Sequence, residues 1–271
     1  MNNKIAGGDG QPSRSTPVLV VSHVSKTFVT GTDTVVALDD FSLEIMEGEF
    51  VAVLGPSGCG KSTLMMIVAG LVDPSAGKVA IGETTVDSPY TNVGIVFQNH
   101  VLLEWRNALQ NVLFQAEMRH LPKAKYERIA RELFRMVSLE GFETKFPNEL
   151  SGGMRQRVSI CRALVHDPPL LLMDEPFGAL DALTRDQLCI DLEKLWLERR
   201  KTVLFITHSI QEAVQLSDRI IVMTPRPGRI YKVFAVPLER PRFERAGNTP
   251  KYFELVDQIK ATFVEQGVLK K

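Results

Sequence analysis

The stretch that most constrains this chain is "FVAVLGPSGCGKST", from Phe50 to Thr63. It begins as a short apolar run of the kind that lies in a buried parallel strand. The remainder, Gly55, Pro56, Ser57, Gly58, Cys59, Gly60, Lys61, Ser62 and Thr63, fits G-x-x-x-x-G-K-[ST]. Glycines let the backbone turn its N–H groups inward around an anion, and the helix that follows adds partial positive charge at its N-terminus. The pattern assigns Lys61 to the β- and γ-phosphates of a nucleotide and the Ser62 hydroxyl to Mg2+. The alternative is a plain glycine-rich turn. The pattern arises by chance in on the order of one per cent of chains this long, and its place between strand and helix lowers that figure. Within the loop, the Cys59 thiol is expected either to have a lowered pKa, because the surrounding donors favour an anion, or to be an inert filler of a tight turn.

The rest of the composition excludes more than it selects. At 271 residues the chain can bury a substantial core, in one domain or two closely packed ones. Its 32 basic and 32 acidic side chains cancel, so no global attraction to nucleic acid or to an anionic membrane is implied. Cys59, Cys161 and Cys189 are widely spaced and form no C-x-x-C, which disfavours a disulfide framework or a zinc site and fits a reducing cytoplasm. The N-terminal "MNNKIAGGDGQPSRSTP" has no signal-peptide core, and no apolar run has the length of a membrane span. If the protein works at a membrane, other chains do the spanning.

Residues 1–17 are expected to be a disordered tail. Strands are expected at "VLVVSHVSKTF" and "VVALDDFSLEI", then at Phe50–Gly55, Asn92–Gln98, "LLLMDE" and "TVLFITH". Helices are expected from Gly60 to about Leu71, through most of 107–165, and at "LTRDQLCIDLEKLWLERR". In "KAKYERIARELFRMVSL" the residues Ile129, Leu133, Met136 and Val137 make an apolar stripe. Buried strands alternating with helices indicate an α/β sheet, into which a helical subdomain at about 100–165 is inserted. The main domain is expected to span about 18–240. Residues 241–271 form an extension with one helix, capped by Thr249 with Pro250 in its first turn. Phe253, Val256, Ile259, Phe263 and Val264 line one face of that helix, which docks on its own domain.

Hydrolysis needs more than a phosphate cradle. Asp174 ends the apolar strand "LLLMDE" and can orient Mg2+ through its water shell. Glu175, next in line, is placed to accept a proton from an attacking water. An Asp-Glu pair at a strand end can also cap a following helix, a reading disfavoured here by the upstream loop. His208 closes "TVLFITH"; alone it is a weak signal, and beside Glu175 it becomes a candidate for sensing the γ-phosphate and holding water. Gln98 is either a contact to Mg2+ and the water or an ordinary loop amide.

These pieces, in the order "GPSGCGKST", Gln98, "LSGGM", "LLLMDEP", "GALD" and His208, closely resemble the ATP-binding cassette (ABC) ATPases, over roughly Val18 to Pro237. "LSGG" is the most specific element, since it separates this family from other phosphate-loop ATPases. The resemblance implies an α/β P-loop NTPase core with a parallel-rich sheet, an antiparallel β-subdomain and the inserted helical subdomain. It also implies a head-to-tail homodimer holding two ATP molecules. Each ATP lies between the phosphate loop of one copy and the serine-glycine motif of the other. Ser151 then acts as an N-cap that offers its hydroxyl, and Gly152 and Gly153 let bare backbone donors approach a γ-phosphate bound by the partner. Met154 departs from the glutamine more usual after the two glycines. By the same resemblance Asp181 crosses the interface, or caps the next helix, or does both. Phe28 stands where the family stacks an aromatic on adenine, its alternative being a core residue.

Three classes of work compete. The first is the energy-coupling subunit of an importer, peripheral at the cytoplasmic face of the membrane, with separate permease subunits and an external substrate-binding protein. The second is a soluble ATPase acting on nucleic acid, for which a coiled-coil or DNA-reading insertion is expected and no heptad block appears. The third is a non-hydrolysing nucleotide-dependent regulator, against which Glu175 argues. A translation-factor relative would carry two cassettes. The segment Gln98–Arg106 favours the importer, because an apolar patch with Trp105 and Arg106 suits a short amphipathic helix from a permease. Trp105 as local core is the competing reading. "MTPRPGRIYKV" with "LSGGMRQRV" resembles the branch serving nitrate, sulfonate and taurine importers.

Overall fold

A computed structural model describes residues 16–245 and 249–270. Two sheets share the chain. The strands β1 (Pro17–Thr30), β2 (Asp33–Met46), β3 (Phe50–Leu54), β4 (Ala76–Ile81), β5 (Thr84–Thr85), β6 (Val93–Val96), β7 (Leu170–Asp174), β8 (Thr202–Thr207), β9 (Arg219–Met223) and β10 (Ile230–Ala235) are ordered β2-β1-β4-β5 and β10-β9-β3-β8-β7-β6. The first sheet is antiparallel throughout. In the second, only the β9–β10 pair is antiparallel.

The continuous apolar runs of the central strands arise because both faces are covered. Phe50, Ala52 and Leu54 of β3 face one core, together with Val203 and Phe205 of β8 and Leu171 and Met173 of β7. That core also holds α2 (Ala108–Met118), α3 (Lys123–Met136), α4 (Gly152–Leu164), α5 (Ala182–Arg199) and α6 (Ile210–Leu216). Val51, Val53, Leu170, Leu172, Leu204 and Ile206 face the other way, onto α1 (Lys61–Val68) and the antiparallel sheet. Alternation along each strand thus builds two cores from one sheet. The apolar stripe of α3 faces inward, with Leu133 and, just past the helix end, Val137 buried and Ile129 and Met136 packed beside them.

Three expectations need correction. Pro17 already belongs to β1, and the rest of the expected tail up to residue 15 lies outside the described residues. The helix after the phosphate loop ends at Val68, because Gly70, with φ of 71°, turns the chain. The extension after Arg240 carries two helices, a short α7 (Arg242–Arg245) and α8 (Pro250–Glu265). On α8 it is Tyr252, Leu255, Val256, Ile259 and Phe263 that are buried, whereas Phe253 is exposed and Val264 only half-buried.

Arg242 locks the extension in place. It is 2 % exposed, and its guanidinium donates to the carbonyls of Val214 (3.1 Å) and Ser217 (2.5 Å), closing the C-terminal end of α6. Further bonds go to Leu238 and Val236. Glu193 in turn accepts from the backbone N–H groups of Arg242 and Phe243. Arg242→Met should leave several buried carbonyls unpaired and lower unfolding free energy in urea by roughly 2–4 kcal/mol. A loss under about half a kilocalorie would mean that the extension is only lightly attached.

Candidate active site

The parallel register brings the reactive groups to one edge of the sheet. Leu54 pairs with Thr207 and Asp174 with Ile206, so the phosphate loop, the acid pair and His208 all follow directly from adjacent strand ends. Gly58 (φ 75°) and Gly60 (φ 104°) turn the loop in the left-handed region. A Cβ at Gly60 would lie 2.6 Å from the Ala37 carbonyl, so no other residue fits without movement. Lys61 is buried; its ammonium donates to the carbonyls of Gly55 (2.9 Å) and Pro56 (3.0 Å) and lies 3.7 Å from Glu175 Oε1.

Glu175 has φ of 42°, a left-handed conformation that is costly for a non-glycine residue and is often kept at functional sites. Its N–H donates to Ile206 O (2.9 Å) and its carbonyl accepts from Gly178 N–H (3.0 Å), which fixes the turn. Its Oε2 is 2.9 Å from His208 Nδ1. Sequence reading places the carboxylate at the strand end but gives no sign of this backbone strain.

Ser62 Oγ donates to Asp174 Oδ1 at 3.2 Å. Burial raises the Asp174 pKa, the Ser62 hydrogen bond opposing it. Ser62 and Gln98 line one cavity and Asp174 is bonded to Ser62, so the groups offered are oxygens, the donor type that suits a hard divalent cation such as Mg2+. Gln98 is not at a strand end: β6 stops at Val96, and Gln98 stands two residues on in an exposed loop. That loop is gripped from behind by α4. Gln156 donates to Phe97 O, Ser159 to His100 O, and Arg162 to His100 O and Val101 O.

A cavity of about 430 Å3 is lined by Phe28, Ser57, Gly58, Gly60, Lys61, Ser62, Thr63, Gln98 and Glu175. Gly55, Pro56 and Cys59 complete the loop behind them. Phe28 is 38 % exposed at the cavity wall, with the Lys26 ammonium 5.0 Å from its ring centre, so it is not core. Ser151, Gly152, Gly153 and Asp181 do not line this cavity. Ser151 caps α4, its Oγ accepting from Met154 N–H (3.3 Å), and Asp181 caps α5 through Thr184 N–H (3.1 Å). A Cβ at Gly152 would meet Leu180 Cδ2 at an ordinary contact distance of 3.5 Å, so packing does not demand a glycine there. At Gly153 a Cβ would meet Thr184 Cγ2 at 2.5 Å, so this glycine serves the close packing of α4 on α5. Arg226, Val35 and Ala37 also line the cavity; sequence reasoning misses all three, and the one available signal is the place of Arg226 between Pro225 and Pro227.

Cys59 overturns the lowered-pKa expectation. It is 1 % exposed, and burial raises its pKa above the ordinary thiol value despite the opposing charge of Lys61. The thiol fills the turn beneath Gly55, where an added Cβ would lie 2.8 Å from Cys59 Sγ.

A glycine loop cradling a cavity, a buried lysine and a strand-end acid pair define a P-loop ATPase. The profile described as ABC transporter matches residues 38–178, and the chain belongs to that family. An uncharacterized ABC transporter ATP-binding protein of Methanocaldococcus jannaschii is 50% identical, covering 83% of this chain and 84% of its own. The taurine import ATP-binding protein of Roseobacter denitrificans is 45% identical, covering 81% and 82%. A solved ATP-binding cassette dimer in a post-hydrolysis state with ADP and Pi matches at a TM-score of 0.72 and 34% identity, covering 82% of this chain and 100% of that one. The chain is thus an ATP-binding, ATP-hydrolysing cassette.

In the native protein, Cys59 should alkylate far more slowly than after denaturation, as read by mass spectrometry after brief iodoacetamide treatment. Fast labelling of Cys59 in the folded chain would contradict the burial described above.

Proposed function

We propose that this chain is the energy-coupling subunit of an importer for a small anion of the nitrate, sulfonate or taurine kind, bound at the cytoplasmic face to separate permease subunits. The observation that carries the catalytic part is the Lys61–Glu175–His208 cluster at one strand edge, with Glu175 held 2.9 Å from His208 and 3.7 Å from Lys61. Lys61 holds phosphate charge. Glu175 takes the proton of an attacking water, and His208 orients that carboxylate and senses the γ-phosphate. Ser62, Asp174 and Gln98 would hold Mg2+, which when bound neutralises charge on the β- and γ-phosphates. Phe28 stacks on adenine. Ser151 and Gly152 aim the start of α4 at a triphosphate held by a second copy, and Asp181 lies at the same interface.

The importer reading rests on the 45% identity to a taurine import protein and on one surface. Trp105 is 74 % exposed, which removes the local-core alternative for it. Beside the loop that carries it, an apolar cavity of about 450 Å3 is lined by Leu71, Ile95, Phe97, Val101, Leu103 and Phe114, with Arg119 and Arg162 at its edge. A groove of this make-up suits an amphipathic helix of a permease. Among the described residues no helix is long and apolar enough to cross a membrane, so membrane attachment through such a groove is consistent with the chain. An external binding protein would act through the permease. The nucleic-acid and regulator readings gain no supporting feature.

Glu175→Gln should retain ATP binding and lower turnover by roughly 10²–10⁴-fold; near-normal steady-state hydrolysis would contradict the assignment. Lys61→Ala should instead weaken ATP binding itself, measured by equilibrium titration. For the docking surface, Leu103→Asp in the natural complex should reduce co-purification of the membrane subunits, and undiminished recovery would contradict it.

A further inference from the structure

One wall of the nucleotide cavity comes from neither the phosphate loop nor the strand-end acids. Arg226, on the turn between β9 and β10, lines the cavity together with Phe28, Gly58 and Lys61. Its Nε and Nη2 both donate to Gly58 O, at 3.2 and 3.1 Å. Two donors therefore converge on one neutral carbonyl, and no carboxylate pairs with this guanidinium among the described residues. Arg229, on the same turn, differs in being paired with Asp39. The charge of Arg226 is thus uncompensated at the edge of a cavity built for an anion.

The turn that carries it is fixed. Thr224 Oγ1 donates to Pro227 O (2.7 Å) and accepts from Arg229 N–H (2.9 Å). Gly228 N–H donates to Ala37 O (3.0 Å), and Gly228 O accepts from Asp39 N–H (3.1 Å). A Cβ on Gly228 would lie 2.2 Å from Cys59 O, so the turn rests directly on the phosphate loop. A planar guanidinium on a fixed turn is well suited to polyphosphate oxygens, and its long bonds to a neutral carbonyl are weaker than bonds to an anion.

Building on the reading of this cavity as the ATP site, we propose that Arg226 is a nucleotide-binding residue whose guanidinium contacts the phosphate groups that remain in ADP. Its contribution is the same before and after hydrolysis, so it sets affinity rather than the chemical step.

The test is equilibrium titration of the full chain with fluorescent ATP and ADP analogues at low and moderate salt, for wild type and three variants. Arg226→Ala and Arg226→Gln should each weaken both nucleotides by roughly 5- to 30-fold, the range for losing one charge-assisted hydrogen bond. Arg226→Lys, which keeps the charge but not the planar fork, should weaken both nucleotides less than either of these, and Arg226→Gln should show a shallower salt dependence. Glutamine can still donate to Gly58 O but carries no charge. Wild-type affinity in Arg226→Gln with weakened binding in Arg226→Ala would therefore mean that the side chain only braces the loop, and would overturn the proposal. Wild-type affinity in all three variants would overturn it as well. Failure of the wild-type chain to bind either nucleotide would be a different result, removing the ATP reading itself and this inference with it.

Discussion

The parallel hydrogen-bonded register of β3, β8 and β7 is the constraint on which the rest of the site depends. Because Leu54 lies beside Thr207 and Asp174 beside Ile206, three loops leave the sheet at one level. Lys61, Glu175 and His208 then meet within hydrogen-bond and ion-pair distances without any of them being close in sequence. A one-residue slip in any of these strands would turn every side chain to the opposite core and dissolve the cluster together with the packing. The two cores, one on each face, resist such a slip, so the catalytic geometry is held by the same burial that holds the fold.

A second link runs from this edge into the helical layer. α4 begins with the capped, glycine-rich start at Ser151 and Gly152, and its later turns hold the carbonyls of Phe97, His100 and Val101. One rigid helix therefore connects three features: the end aimed away from its own cavity, the loop bearing Gln98, and the groove lined by Val101 and Leu103. Movement of a partner in that groove has a short mechanical route to Gln98 and to the start of α4. In the proposed importer these hydrogen bonds and contacts would carry movement of a permease to the hydrolytic site.

Much of this was legible in the sequence because it rests on local rules. Glycine spacing marks the phosphate loop, apolar runs mark strands covered on both faces, and Thr249-Pro250 marks the start of α8. The part that was not legible depends on long-range packing. Cys59 looks like an activated thiol when only its neighbours along the chain are counted, but the fold closes over it and desolvation wins. At Gly153 the sequence shows only a possible backbone donor and not the second demand on the residue, the close approach of the Thr184 side chain on α5. Phe253 fits a helical stripe on paper, yet the docking angle of α8 buries Tyr252 and Leu255 and leaves it outside. Arg226 is 165 residues from Lys61 and 51 from Glu175, the other charged side chains of the cavity wall, and only the paired strands bring it there.

The central claim is that ATP is held between two copies, the phosphate loop of one facing Ser151 of the other. All three native cysteines are buried, so introduced thiols can be read against a low background. The direct measurement mixes a Ser57→Cys chain with a Ser151→Cys chain, adds a short bifunctional thiol reagent with and without Mg-ATP, and maps the joined peptides by mass spectrometry. The account predicts a link between position 57 of one chain and position 151 of the other that appears with Mg-ATP and is absent without it. No such link with Mg-ATP, in chains that still bind nucleotide, would contradict it.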